Sequence, residues 1–450
     1  MEAWLQRAAG AALVTVLALA AGAVPSRAEV RSQQVAAQAP PVLQVAATEG
    51  VAPTAAGVQR VLRPALRDPA LGQHVGVAVY DASRRKALYG VSGTFVPAST
   101  LKVLTTTAVL AALGPEHRFT TKVVIGRNTS SIVLVGGGDP LLAAKRPAGP
   151  ASPMPASLAD LAAATAKALK AKGVKRVSLG YDASLFTGPA VNHRWLPAYL
   201  AEGIAAPTMA LWTDQGRQRP GFAKRYPDPA RAAAAQFASR LKLAGISVAP
   251  AGKAKAAPGA ATLAQVTSPR LASIVEHVNL VSDNDGAEVL LRHVGLATKN
   301  GGSYAGGLKG LRSTLTGLGL SLGKARLEDG SGLARTNAVP LQLLGSALTL
   351  ATSPDQPRLR AVVTGLPVAG FTGSLAERFA GPGMAAGTGY VRAKTGTLTG
   401  VHSLAGLVRD RTGTLLVFVV ATDRVASDKA LAARAALDRV ASALAACGCG

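Results

Sequence analysis

The sequence predicts an α/β (α+β) protein whose central antiparallel sheet is built from both ends of the chain, flanked by helices and split by an inserted domain. Three observations carry this expectation. Strand-like alternation at His74–Asp81 and a second strand at Lys86–Gly90 precede an apolar helical stretch, Pro97–Leu113. Strand-like sequence returns at Val401–Asp410 and Thr412–Asp423, closed by helical spacing from Ser427 to Ala446. The middle of the chain mixes further strands and helices without any internal repeat.

The elements follow in order. A short helix is expected over residues 58–66, then the first hairpin, turning at Ser83-Arg84-Arg85. The apolar helix ends at Gly114-Pro115, a stop signal. Strands are expected at Thr120–Ile125 and Ser131–Val135, the second running into Gly136-Gly137-Gly138-Asp139-Pro140. A Pro- and Ala-rich loop fills 141–156. Leu158–Lys172 has helical spacing, with Asp160 in its first turn and Gly173 after its end. Lys175–Asp182 reads as a strand and Asp228–Gly245 as an amphipathic helix. Leu271–Gly295 is helical on both sides of a polar break.

Arg7, the apolar run 8–23 and Ser26-Arg27-Ala28 form a secretion signal over residues 1–28, since a spanning helix needs about 20 apolar residues. Residues 29–57 read as a flexible linker. Residues 58–117 and 271–446 form one domain, 118–270 the inserted domain and 447–450 a frayed tail. The chain is therefore expected in the periplasm or cell wall, or on the outer side of the cytoplasmic membrane. Its net charge of +25 suits polyanions. For an exported protein these are anionic wall polymers rather than nucleic acid. The two cysteines, Cys447 and Cys449, cannot staple the interior, and an intermolecular disulfide is open to them. No metal or other cofactor is expected, because the six histidines form no ligand spacing.

Three motifs carry chemistry. Ser99-Thr100-Leu101-Lys102 places an amine beside a hydroxyl on one helical face. A desolvated lysine can take the proton of such a serine. Ser83, Ser239 and Ser321 share the spacing with Lys86, Lys242 and Lys324, but only Ser99 opens an apolar helix. Ser282-Asp283-Asn284 lies at the polar break. Its hydroxyl can relay a proton to a leaving amine, and its amide can hold Lys102 and a substrate carbonyl. Lys394-Thr395-Gly396 precedes Thr397. Lysine and hydroxyl there can bind a carboxylate, the glycine admits a substrate backbone, and the Thr397 N–H joins that of Ser99 as an oxyanion donor. Each motif alone is more readily a cap or a turn; the three in this order are not.

With these motifs the chain resembles the serine β-lactamase and penicillin-binding protein superfamily. It resembles most closely the penicillin-binding D-alanyl-D-alanine carboxypeptidase/endopeptidase family, peptidase family S13. Four segments add to the likeness: Val135–Pro140, Asp329-Gly330-Ser331-Gly332-Leu333, Leu366-Pro367-Val368-Ala369-Gly370, and Lys394–Gly406. The resemblance implies a β-lactamase/transpeptidase-like domain with an insertion between the first two motifs, and no complete third subdomain. It implies hydrolysis of peptidoglycan stem peptides through an acyl-enzyme on Ser99, with β-lactams as covalent inhibitors. It also implies a pocket for the free amino end of the stem side chain, with Arg335 as the best match and Asp182 and Phe186 as further candidates. Two alternatives stay open, a β-lactamase-like hydrolase and a non-catalytic wall-binding sensor. Against the first, none of Glu288, Glu328 and Glu377 has an Asn four residues later. The preference between carboxypeptidase and endopeptidase action and the oligomeric state are not legible.

Overall fold

The computed structural model describes residues 52–128, 130–219 and 221–450. The signal at 1–28 and most of the linker lie outside the described residues. The fold begins inside the stretch read as linker. The Thr54 hydroxyl accepts from the Gly57 N–H and caps helix α1 (Ala55–Ala65), which buries Val58 and Leu62.

Strands β1 (Val75–Asp81) and β2 (Lys86–Gly90) form the first hairpin, and β3 (Thr94–Phe95) leads into the turn that carries Ser99. Helix α2 spans Lys102–Leu113. Within the insertion lie β4 (Thr120–Ile125), β5 (Ser131–Val135), α3 (Leu158–Ala171), β6 (Arg176–Asp182), α4 (Ala198–Ala201), α5 (Pro229–Leu243), β7 (Ser247–Lys253) and β8 (Thr262–Thr267). The chain continues through α6 (Leu271–Leu280), α7 (Asn284–Ala297), α8 (Tyr304–Gly317), β9 (Val339–Pro340), α9 (Leu341–Thr352) and α10 (Arg360–Thr364). It closes with β10 (Val391–Leu398), β11 (Val401–Arg409), β12 (Leu415–Thr422) and α11 (Ala430–Ala445).

The main sheet has the order β10-β11-β12-β1-β2, with every pair antiparallel. Both chain ends thus share one sheet, because β12 throughout and β1 from Gly76 onward are buried and must pair in an interior. One face packs against α1 and α11 around Val58, Leu62, Phe418, Leu437 and Val440. The expected frayed tail belongs to this core. Cys447 and Cys449 are disulfide-bonded to each other and buried. The carbonyl of Cys449 accepts from the Thr54 N–H at 2.8 Å, and a Cβ on Gly57 would stand 2.1 Å from that oxygen. An apolar residue run that packs against α1 has no reason to fray.

The insertion carries its own sheet, β7-β6-β5-β4-β8, parallel across β5-β6-β7 and antiparallel at β4. Helices α3 and α5 supply its core through Leu161, Leu169, Phe237 and Leu241. Part of the segment that follows β6 leaves that sheet, although Leu211 still packs into its core. Phe186, Ala206, Ala210 and Trp212 pack on Val289 of α7. A buried ion pair fixes the junction. Arg225 Nη2 donates to Asp285 Oδ2 at 2.8 Å, and Asp285 Oδ1 accepts from the Ala206 N–H at 2.7 Å. Burial raises the Asp285 carboxyl to about 6 even with Arg225 opposing it. Replacing Arg225 by Met strands a buried carboxylate, a change that costs about 3–5 kcal/mol. Thermal unfolding of Arg225→Met should therefore show a clear loss of stability, and an unchanged midpoint would contradict this account of the junction.

Candidate active site

Two non-glycine residues take left-handed backbone at the site. Ala98 has φ 46° and Ser282 has φ 60°. Neither can continue a helix. This is why the expected helix 97–113 is a 3₁₀ turn over Ala98–Leu101 followed by α2. It is also why the 271–295 stretch breaks into α6 and α7. Each break presents its motif serine half-buried at a helix start. The Asp283 side chain caps α7 by accepting from the Gly286 N–H.

Lys102, the first residue of α2, is wholly buried. Its Nζ lies 2.9 Å from Ser99 Oγ, 2.8 Å from Asn284 Oδ1 and 2.8 Å from the Ser331 carbonyl oxygen. The first two motifs therefore meet on one amine. Burial lowers its pKa to about 8, while Glu288, Asp329, Asp283 and Asp285 pull it the other way. Asn284 is itself held, its Nδ2 donating to the Ile204 carbonyl of the insertion at 3.0 Å.

The third motif sits on β10, an edge strand. The Leu366–Gly370 segment covers its first half, with Ala393 N–H donating to the Pro367 carbonyl and Ala369 N–H to that of Val391. Alternation along the strand turns the N–H of Thr397 the same way as that of Ala393. The cover ends before Thr397, which is exposed, so an extended peptide can pair there. Lys394 is buried, and its Nζ donates to the Thr395 carbonyl at 2.9 Å. Burial, with Lys102 nearby, pushes the Lys394 amine well below the usual lysine range. Burial keeps the Lys394 amine from direct contact with solvent. The Thr395 hydroxyl lies 2.8 Å from Ser374 Oγ. At Gly396 a Cβ would lie 2.1 Å from Ser403 Oγ and 2.5 Å from the Pro97 carbonyl. The glycine lets β10 close onto the turn that carries Ser99.

The remaining sequence candidates scatter. Arg335 is exposed and donates to the Thr399 carbonyl at 2.9 Å, at the turn that ends β10. Asp182 and Phe186 serve the insertion. Asp182 accepts from the N–H groups of Ser184 and Ala256, each at 2.8 Å. Phe186 packs edge-on against the His293 ring of α7. Both lie at the end of β6 or just after it, and their contacts leave them little freedom to grip a ligand.

Comparison with known proteins fits this geometry. The model of the D-Ala-D-Ala carboxypeptidase 3 (S13) family matches residues 58–227 and 219–444. The chain belongs to this family. It is 35% identical over 417 residues to a carboxypeptidase of Mycobacterium tuberculosis, covering 91% of this chain and 87% of that protein. It is 30% identical over 436 residues to a D-alanyl-D-alanine carboxypeptidase of an Actinomadura species, covering 79% of each. The structure of penicillin binding protein 4 from Haemophilus influenzae superposes with a TM-score of 0.69 at 21% identity, over 86% of this chain and 97% of that one. This S13 member is thus a hydrolase, a D-Ala-D-Ala carboxypeptidase of the penicillin-binding class.

One residue of this carboxypeptidase escaped the sequence reading as a positioning group. Glu288 of α7 is wholly buried, and both its oxygens accept from the N–H of Gly330, at 3.1 and 3.0 Å. Its Oε1 also accepts from Ser331 N–H at 2.8 Å. It thereby holds the carbonyl that receives Lys102. Its only sequence signal was a carboxylate on the apolar face of a helix, four residues after Asn284. Burial raises Glu288 to about 8, and its ionised form raises Lys102. A base must be neutral to act, so kcat/KM should rise with pH through about 8. Glu288→Gln should lower kcat and move that inflection to lower pH, because the charge that favours the ammonium is gone. An inflection that stays in place would confine Glu288 to a structural role.

Proposed function

We propose that this carboxypeptidase works through an acyl-enzyme on Ser99, with Lys102 as the base. One observation carries the reading. Asn284 Oδ1 and the Ser331 carbonyl can only accept, so a neutral Lys102 spends both its N–H bonds on them. Its lone pair is then left for the Ser99 hydroxyl, which has a proton to give. Ser99 Oγ attacks the carbonyl of the penultimate D-Ala of a peptidoglycan stem, and its proton passes to Lys102. The N–H groups of Ser99 and Thr397 receive the oxyanion, a kind of donor whose loss costs roughly 10²–10³ in rate. Ser282 relays a proton to the departing amine, giving up its own and taking the one that Lys102 received, so that Lys102 returns to the neutral amine. The Thr395 hydroxyl meets the terminal carboxylate. Water then releases the acyl group.

The same site would cleave a crosslink between stems, and β-lactams would acylate Ser99. Their adduct would persist, since Glu288, the first glutamate after the second motif, has its oxygens committed to backbone N–H groups. This disfavours the β-lactamase reading. We place the mature protein outside the cytoplasmic membrane on the strength of residues 1–28. Its net charge of +25 would favour anionic wall polymers as neighbours. Intact mass of protein recovered from the cell envelope tests both points. The chain should begin just after the signal and gain one penicillin adduct, absent in Ser99→Ala. An unmodified mass after penicillin, or an adduct that survives Ser99→Ala, overturns Ser99 as nucleophile.

A further inference from the structure

A cavity of ≈ 370 Å³ borders Ser282, Asp283 and Asn284 and is walled on its far side by Gln215 and Arg217. A second cleft, of ≈ 630 Å³, is lined by Lys145, Asp214, Arg217, Arg219, Gln236 and Arg240 among others. Arg217 is common to both. The turn that carries it is set by two left-handed residues, Asp214 at φ 50° and Gln215 at φ 56°. Such backbone in non-glycine residues costs about 1–3 kcal/mol each and persists only where surrounding contacts hold it. Here the contacts are plain. Gln215 Nε2 donates to Asp283 Oδ2 at 2.5 Å, and Arg217 Nη1 donates to Gln215 Oε1 at 2.5 Å. The second motif thus positions Arg217 through Gln215.

The second cleft is cationic and unneutralised. Lys145, Arg217, Arg219 and Arg240 line it, and none forms an ion pair among the described residues. Its one acid, Asp214, is turned to the backbone and accepts from the Ala144 N–H at 3.3 Å through each oxygen. Gln236 is engaged through Oε1 by the Thr213 hydroxyl. Four cations around a polar cleft attract a ligand with several anionic groups. A bound stem peptide continues beyond the scissile bond, and peptidoglycan stems carry free carboxylates. Resting on the D-Ala-peptidase reading, we propose that this cleft is a remote substrate subsite. It takes the carboxylates of a second stem, so that the enzyme prefers multi-stem peptidoglycan over isolated peptides.

The test compares two substrates on the intact enzyme. One is a short, blocked acyl-D-Ala-D-Ala peptide that ends at the catalytic site. The other is a disaccharide-linked muropeptide dimer with free carboxylates. Lys145→Gln/Arg240→Gln removes two cations far from the motif serines. It should raise KM for the dimer roughly tenfold or more, the scale of lost charge-assisted bonds, and leave kcat alone. The short peptide should change by less than about twofold. Amidating the dimer's carboxylates should give the wild type the variant's KM. Equal KM values for the dimer in both enzymes overturn the proposal, and so does an amidated dimer that binds as well as the free acid. Competition by a phosphodiester polymer but not by the carboxylated dimer also overturns it, in favour of a wall-polymer site. Failure of the D-Ala-peptidase reading would look different, since neither substrate would then release D-Ala.

Discussion

A lysine amine held entirely out of water is the constraint on which the rest of the site depends. Lys102 reaches Ser99, Asn284 and Ser331 within 2.9 Å. Burial of a charge there is expensive, so this amine gives up its proton far more readily than an ordinary lysine. Each partner around it comes from a different part of the chain. Ser99 comes from a 3₁₀ turn, Asn284 from the start of α7, and Ser331 from a loop pinned by Glu288 and Asp329. Asp329 fixes that loop by accepting from the N–H groups of Gly332 and Ala334 and from Trp195 Nε1. The fold can be understood as the means of bringing these three groups to one point.

The insertion is part of that means. Trp195 bonds Asp329, Ile204 receives the Asn284 amide, and Arg225 pairs with Asp285. Residues 183–227 therefore form the second wall of the cleft, while the insertion's own sheet stands behind them. Edge strand β10 forms the opposite wall. Gly396 and Ser403 draw it onto Pro97, with Ser403 Oγ donating to the Pro97 carbonyl at 2.8 Å. Nucleophile turn and substrate strand are thereby kept in register.

Much of this was legible in the sequence. β2, β4 and β5 fall where alternation placed them, and α3, α5 and α11 within a few residues. The three motifs were found because their chemistry fixes residue types at short spacing. What escaped did so for physical reasons. β7 contains Pro250 and lies at a sheet edge, where a missing N–H costs nothing, so it carries no strong strand signal. α8 holds Gly306, Gly307, Gly310 and Gly317 and reads as a loop. Its glycines serve packing, since a Cβ on Gly307 would lie 2.6 Å from the Leu291 carbonyl of α7. Glu288 and the Ile204 carbonyl act only through tertiary contact, which spacing does not report. Asp182 and Phe186 entered through family likeness alone, and no spacing or periodicity in the sequence pointed to the local bonds they make.

Side-chain NMR titration of the intact enzyme, with the Lys102 resonance assigned by Lys102→Arg, reads the central claim directly. Lys102 should titrate with a midpoint near 8. A midpoint at or above the ordinary lysine value of 10.5 would keep the amine protonated through the whole pH range in which activity should rise, and would remove the proposed base.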